Sequence, residues 1–138
     1  MCLIDEVLHW NTTDIHSRAR SHCLDSNPLR TGGRLRSECG IEYAAQTIAI
    51  HGALSAAFEG TPQVTGMLAS VRGVTLHVDR LDDIGADLVI QCGRIRGDAT
   101  ALMYDFSITG DSRALLAGRA MVVLRPPTAA HASAGYRK

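Results

Sequence analysis

The stretch from Cys39 to Phe58 reads CGIEYAAQTIAIHGALSAAF and predicts the central element of the fold. Between Glu42 and Glu59 it carries no formal charge, and no proline interrupts it. Alanine, isoleucine, leucine and glutamine suit a helix, which at about 1.5 Å per residue would run roughly 25–30 Å. A surface helix normally shows one apolar stripe, whereas this stretch is apolar on nearly every side. We therefore predict a helix buried in the middle of the fold, with alanines that let strands approach closely.

Three polar side chains stand out within this apolar stretch. Glu42 and Gln46 are four residues apart and share one helix face near its start, and Ala49 and Ala53 continue that face with little bulk. A carboxylate beside a narrow apolar channel would suit a buried acid or base. The helix alone favours a simpler interpretation, in which Glu42 only interacts with the helix dipole at the N-terminus. His51, further along, fits a core or interface histidine with satisfied hydrogen bonds.

Strand-like runs flank the predicted helix on both sides. Two runs precede it and lead into a polar loop over 24–38; they are Met1–Trp10 and Ile15–Cys23. Four runs follow the break at 60–62; they are Gly66–Val78, Asp87–Arg96, Thr100–Thr109 and Arg113–Leu124. One apolar helix with this many strands predicts an α+β fold in which a curved antiparallel sheet wraps around the helix, with the four later strands in a meander. We assign residues 1–125 to this one domain and expect residues 126–138, which are small and polar, to be a disordered tail.

The composition argues against several classes of function. Lys plus Arg and Asp plus Glu number 14 each, so no global field points to nucleic acid or to a membrane surface. The four cysteines form no Cys-x-x-Cys pair and the start is unlike a secretory signal, which predicts reduced thiols in a cytoplasmic protein. No window approaches the ~18 apolar residues of a membrane span. His22, Cys23 and Cys39 are too sparse for a zinc site, so we expect no metal ion.

The start of the helix carries a motif that resembles a known family. The run Gly40-Ile41-Glu42-Tyr43-Ala44-Ala45-Gln46, preceded by a loop with His22 and Asn27-Pro28, resembles the 3-hydroxyacyl-acyl-carrier-protein dehydratases of the hotdog fold. It is more similar still to the branch associated with aryl-polyene pigment biosynthesis, which has a similar Gly-Ile-Glu-Tyr-x-Ala-Gln helix start. The resemblance extends from Met1 to about Leu124 and implies a hotdog fold, with one sheet wrapped around the long helix.

The resemblance implies a hydro-lyase that removes water from a 3-hydroxyacyl thioester on the phosphopantetheine arm of a carrier protein, in fatty-acid-like or polyene biosynthesis. The reaction needs a base at C2, for which imidazole is suited. It also needs an acid at the C3 hydroxyl, for which a carboxyl kept protonated in an apolar tunnel is suited. The implied catalytic pair is His22 and Glu42. A free N–H of Gly40 at the helix N-terminus would hold the charge on the thioester oxygen, and Gln46 would orient the substrate. No cofactor besides the carrier's arm is implied.

Two departures from the family pattern leave alternatives open. In the dehydratases of primary fatty-acid synthesis the catalytic histidine lies closer to the helix glutamate, in a compact loop with a Pro-Gly turn. Here Asn27 or Pro28 falls about where that histidine should be, so either His22 reaches in from further up the loop or the base is absent. The segment before the first strand is also short, whereas in relatives the residues of this segment often help to cover the site. One alternative is a non-catalytic subunit that stabilises a second hotdog protein in a heterodimer. Another is an acyl thioesterase, in which the helix carboxylate activates water.

The loop before the helix is rich in arginine. Arg30, Arg34 and Arg36 could guide the docking of an acidic carrier protein, because charges at the rim of an interface mainly speed association. They could equally pair with Asp25 and Glu38 and only pin the loop.

The long strand Gly66–Val78 predicts how the chain assembles. A sheet of this kind leaves an edge that must be covered or paired, and this run is long enough to pair across a two-fold axis. We expect a homodimer, or a heterodimer with a second hotdog protein. The resemblance implies sites at this interface, which would let His22 and Glu42 come from different subunits.

Overall fold

The computed structural model describes residues 1–125. In chain order its elements are β1 (Glu6–Trp10), β2 (Asp14–Ala19), α1 (Gly40–Glu59), β3 (Thr65–Leu76), β4 (Leu88–Gly97), β5 (Ala101–Gly110) and β6 (Arg113–Arg125). Short 3₁₀ turns at Ser21–Cys23 and Ser37–Cys39 frame the loop before α1. One helix on an antiparallel sheet confirms the predicted α+β layout. The predicted tail at 126–138 lies outside the described residues.

The six strands form one sheet in the order β1-β2-β4-β5-β6-β3. Tight turns join β4, β5 and β6 into the expected meander; the last turn has Asp111 and Ser112 at φ 56° and 58°, the left-handed pair of a two-residue hairpin. The expectation that β3 begins this meander is wrong, because β3 lies at the far edge beside β6. The connection over 77–87 has no tight turn of this kind and is long enough to cross the end of the sheet.

Helix α1 contacts the sheet through one face only. Its buried residues recur at intervals of three and four, the period of an amphipathic helix; they are Gly40, Tyr43, Ala44, Thr47, Ile48 and His51. This face packs on β2, β4 and β5. The opposite face is exposed at Glu42, Ala49 and Gly52. The expectation of a helix buried on every side is therefore wrong for the single chain, because one sheet covers one side and leaves the other apolar face open.

Two glycines set the start and the end of α1. A Cβ at Gly40 would lie 2.8 Å from Cδ2 of Leu116 and 3.1 Å from Cδ1 of Ile108, so only glycine lets the helix start this close to the sheet. At the other end Gly60 has φ 68° and caps the helix, a left-handed conformation that glycine adopts without penalty. The first turn of α1 is thus held directly against β5 and β6.

The edge strand β3 is open to solvent. Of its residues only Ser70 and Val71 are partly buried, and β6 is its one strand partner within residues 1–125. Leu68, Val74 and Leu76 expose 38%, 37% and 44% of their surface. An unpaired apolar edge favours pairing with another chain. In this described part of the protein, no helix is both long and apolar enough to span a bilayer.

We expect Gly40→Ala to lower the free energy of unfolding by about 1–3 kcal/mol, because overpacking a filled core costs about that much. The added methyl would overlap the side chain of Leu116, which is packed in the core at 1% exposure. Gly52→Ala is the matched control in the same helix, since nothing lies within 4 Å of its Cβ position. That change should raise the free energy of unfolding by roughly 0.5–1 kcal/mol. Urea denaturation measures both, and equal effects would contradict the close approach at Gly40.

Candidate functional site

Glu42 presents its carboxylate on the exposed side of α1. It lies in the first turn of the helix, and the next two residues, Tyr43 and Ala44, are buried against the sheet. Its side chain takes part in none of the ion pairs formed within residues 1–125. The positive end of the helix dipole favours a negative charge at this position. The carboxylate is therefore available to a ligand or to another chain.

His22 lies in the 3₁₀ turn before the loop, where its ring is buried and holds that turn in place. It exposes 0% of its surface, and its Nε2 lies 2.9 Å from the carbonyl oxygen of Ile84 and 3.0 Å from that of Ala86. Because carbonyl oxygens only accept, Nε2 carries the proton and donates it. The other ring nitrogen, Nδ1, is buried without a hydrogen-bond partner. The ring fastens the turn to the β3–β4 connection. No hydrogen bond or ion pair joins His22 to Glu42 within residues 1–125.

Asn27, which stands about where the family's histidine was expected, is part of a buried polar network. It is 3% exposed, and its Nδ2 donates to the Ser21 carbonyl at 2.9 Å and to the Tyr43 hydroxyl oxygen at 3.1 Å. Its Oδ1 accepts from the N–H of Leu29 at 2.9 Å. Ser21 Oγ donates to the Leu3 carbonyl at 2.8 Å, so the Tyr43 hydroxyl must donate to Ser21 Oγ, also at 2.8 Å. Burial raises the pKa of Tyr43, which keeps that proton in place.

This network ties the loop to the first turns of α1 and explains why the loop is ordered. Sequence analysis missed it, because it joins residues far apart in the chain. The one local signal is Asn27 before Pro28, since Asn commonly bonds to backbone two residues on.

Gly40 and Gln46 already have partners in the chain. The N–H of Gly40 points at the carbonyl oxygens of Ser37 and Glu38 in the preceding 3₁₀ turn, and its role at the thioester oxygen stays a prediction. Gln46 Oε1 accepts from the N–H of Leu3 at 2.7 Å, and its Nε2 donates to the Met1 carbonyl at 3.2 Å. Gln46 therefore holds the N-terminal segment beside the first turns of α1. Its role in binding substrate stays a prediction.

The three arginines expected to dock a carrier protein have different surroundings. Arg30 exposes only 13% of its side chain and lies 3.7 Å from Asp25. It donates to the carbonyl oxygens of Gly33 at 3.0 Å and His22 at 3.1 Å, which favours the loop-pinning alternative for this residue. Arg34 and Arg36 are exposed, and Arg36 lies 3.7 Å from Glu38, the second ion pair that the loop-pinning alternative named. Both arginines line a cleft of about 540 Å³ between the 3₁₀ turn before α1 and the residues that follow β3.

A short ladder of hydrogen bonds holds this cleft in shape. The N–H of Leu35 donates to Asp82 Oδ1 at 2.9 Å, and the N–H of Leu81 donates to the Leu35 carbonyl at 2.8 Å. Arg80 pairs with the Asp82 carboxylate, which holds the pKa of that carboxyl well below its usual range. The loop before α1 and the β3–β4 connection therefore form one ordered surface.

His51 is a core histidine with both nitrogens satisfied, as expected from the sequence. Its Nε2 donates to the carbonyl of Asn11 at 2.8 Å, so its Nδ1 accepts from the Tyr104 hydroxyl at 2.6 Å. Burial lowers the pKa of His51 and raises that of Tyr104 to about 12. Neither group is placed to reach a substrate. Within residues 1–125, no cluster of three or more His, Cys, Asp and Glu is arranged to hold a metal ion.

We expect acid to destabilise the fold through His51. The unfolded histidine titrates near 6.5, and burial lowers the pKa in the folded chain, so below that pH the unfolded state binds more protons. The stability that neutral His51 contributes to the fold is complete above about pH 6.5. Below that pH it falls by on the order of 1 kcal/mol per pH unit. Urea unfolding at about pH 7.5 and about pH 5.5 measures this loss. His51→Gln should lose less stability between the two, and an equal loss would contradict the assignment.

Comparison with known proteins gives a family and a fold. No curated protein sequence matches the chain. The dehydratase heterocomplex ApeI:P from Xenorhabdus doucetiae superposes with a TM-score of 0.82 at 21% identity, over 91% of this chain and 84% of that chain. AziG from S. sahachiroi superposes with a TM-score of 0.64 at 9% identity, over 88% of this chain and 90% of that chain. A mutant thioesterase from Pseudomonas aeruginosa superposes with a TM-score of 0.63 at 14% identity, over 87% of this chain and 80% of that chain.

These neighbours confirm the predicted hotdog fold, which dehydratases and thioesterases share. The sequence itself matches a family model described as ApeP-like, ApeP dehydratase, over residues 1–134. This match covers nearly the whole chain and agrees with the helix motif around Glu42. The chain belongs to the ApeP-like dehydratase family.

Proposed function

We propose that the chain is one subunit of a dehydratase that removes water from 3-hydroxyacyl thioesters carried by an acyl carrier protein, and that Glu42 is its catalytic acid. The observation that carries this proposal is the position of Glu42. In a member of a dehydratase family, an unpaired carboxylate lies on the first turn of α1 and points away from the chain's own core. The chain then uses that residue in a site formed with a second chain.

The surroundings of Glu42 support a site shared between chains. A carboxyl acts as an acid near neutral pH when it is enclosed in an apolar site, and a single chain leaves Glu42 exposed. The helix face next to it continues with exposed Ala49 and Gly52, which leave room for an acyl chain. The open edge of β3 is a surface on which another chain can pair. The heterocomplex of the similar Xenorhabdus doucetiae structure supports a second hotdog protein as this partner.

We assign the base of the proposed reaction to the partner chain. His22, which the resemblance implies as the base, is buried, and its Nε2 donates to two carbonyl oxygens. A base must lie within hydrogen-bond reach of the proton it removes. His22 would meet this condition only if the turn Ser21–Cys23 opened. In the closed turn it positions the loop instead.

The proposed reaction balances with one base and one acid. The base takes the C2 proton, and the electron pair of that C–H bond forms the C2–C3 double bond. The C3–O bond breaks as Glu42 gives its proton to the leaving hydroxyl, which departs as water. The products are a 2-enoyl thioester, a protonated base and the Glu42 carboxylate, and proton exchange with water restores both groups.

The second candidate is a non-catalytic subunit that stabilises an active hotdog partner. The burial of His22 favours this second candidate. A chain without an accessible base can still stabilise an active partner, because that role needs only an interface. In that case Glu42 would be dispensable for turnover in the complex. A thioesterase, the third candidate, would release a free acid instead of an enoyl thioester.

We expect Glu42→Gln to reduce dehydration by about 100- to 10,000-fold, the usual cost of losing a general acid. The assay follows loss of water from a 3-hydroxyacyl carrier protein by mass, with the chain alone and with the ApeI chain of the Xenorhabdus doucetiae heterocomplex. Glu59→Gln is the matched control, an exposed glutamate at the other end of α1. Full turnover of the Glu42→Gln complex would contradict the assignment and support the non-catalytic subunit. Release of free acid would identify a thioesterase.

His22→Ala separates positioning from catalysis. In the closed turn we expect it to cost about 1–3 kcal/mol of unfolding free energy, because the buried carbonyl of Ile84 and the partly buried carbonyl of Ala86 both lose the imidazole donor. Turnover of the remaining folded complex should change far less than in Glu42→Gln. A folded variant that loses about 100-fold or more in turnover would instead identify His22 as the base.

We expect charge reversal of Arg34 and Arg36 to weaken turnover of carrier-bound substrate, and more so at low salt, because rim charges act mainly on association. Turnover of a small thioester without the carrier should be nearly unchanged. Arg113→Glu is the control, an exposed arginine at the start of β6. Equal losses on both substrates would show that the pair supports the loop, which is the result we expect for Arg30→Glu.

A further inference from the structure

The outer face of the sheet, opposite α1, carries a depression of about 510 Å³ across β3, β5 and β6. Met103 and Met121 are paired in register on β5 and β6, and both line it. They face away from the helix, because their neighbours Tyr104 and Ala120 are buried on the inner side. We call this depression the outer groove. Besides the two methionines, Arg72, Gly73, Asp105, Ala117 and Arg119 line it.

The outer groove exists because the strands lack bulk there and β3 departs from regular pairing. Ala117, two residues before Arg119 on β6, has a side chain too small to cover the sheet backbone at this end of the groove. The pairing of β3 with β6 shifts register between Arg72 and Thr75. Gly73 lies in this irregularity at φ 59°, and nothing lies within 4 Å of its Cβ position. The groove therefore has a volume within the range of small-molecule sites, which is roughly 300–1,000 Å³.

The charges at the outer groove do not cancel. Arg119 donates to Asp105 at 2.9 Å, which neutralises that pair. Arg72 lies beside Arg119 in the register of β3 and β6. It takes part in none of the ion pairs among residues 1–125. Two arginines against one aspartate leave one positive charge at the β3 side of an otherwise mainly apolar site.

We propose that the outer groove binds a free amphipathic carboxylate, with its apolar chain over Met103 and Met121 and its carboxylate on Arg72. Methionine side chains adapt to varied apolar ligands because they are unbranched and polarisable. A guanidinium offers two parallel donors to a carboxylate. A membrane surface fits less well, because the face carries Asp105 and only one uncompensated cation. This site lies on the side of the sheet opposite Glu42 and does not depend on the proposed reaction.

The test is a titration of the full chain with decanoate, followed by nuclear magnetic resonance of isotope-labelled methionine methyl groups. Decanoate should shift Met103 and Met121 at up to about 1 mM, while Met1 serves as the internal control. Arg72→Gln should weaken decanoate binding by about tenfold or more, as expected for a charge-assisted contact. Decanol, which lacks the charge, should bind the two proteins equally. Ala117→Leu should fill the groove and abolish the shifts.

Matched variants separate the groove from general effects. Arg113→Gln and Ala114→Leu make the same changes at exposed positions of β6 outside the groove, and both should bind decanoate as the wild type does. Three results would overturn the proposal: no shift at about 1 mM, equal shifts of all methionines, or decanoate binding that Arg72→Gln leaves unchanged. Shifts with anionic phospholipid vesicles but not with decanoate would also overturn it, in favour of a membrane contact.

Discussion

The packing of α1 on the sheet through a single face is the constraint on which the rest of the structure depends. Gly40 brings the first turn against Leu116 and Ile108, and the buried residues of α1 then follow at helical spacing. This contact fixes the rotation of the helix about its axis. Glu42 must therefore point away from the sheet, because Tyr43 and Ala44 point toward it. Glu42, the proposed acid, is exposed by the same contact that builds the core.

The polar interior then fixes the loop that precedes the helix. Asn27, Ser21 and Tyr43 satisfy one another, and His22 braces the same turn against the carbonyls of Ile84 and Ala86. Buried polar groups cost free energy unless they are paired, so these contacts hold the loop in one arrangement. These contacts bury His22, whereas the carboxylate of Glu42, the proposed acid, stays exposed. In the proposed reaction, a second chain would supply both the base and the cover over Glu42.

Much of this architecture could be predicted from the sequence, because it depends on local patterns. The stretch 39–58 predicted α1 at Gly40–Glu59, and the run Arg113–Leu124 predicted β6 at Arg113–Arg125. Turn residues marked the meander correctly. The predicted place of β3 in the sheet was wrong. Which strands lie side by side depends on long-range pairing, which the pattern within a strand does not encode.

The site was less predictable for the same reason. The motif predicted the helix and singled out Glu42, but it could not show that the N–H of Gly40 points at the preceding 3₁₀ turn. Nor could it show that Gln46 holds the N-terminal segment. His22 was placed in a loop, whereas the fold buries it through carbonyls about sixty residues further along the chain. Such side-chain partners are set by tertiary packing, which the spacing of residues in the sequence does not specify.

The central claim is that a second chain covers the open edge of β3 and the exposed face of α1, which carries Glu42. Sedimentation velocity at micromolar concentration tests it most directly, with the protein alone and mixed with a hotdog partner such as the ApeI chain. The account predicts a species of at least two chains in one of these samples, compared with 14.8 kDa for the single chain. A monodisperse monomer in both samples would contradict it.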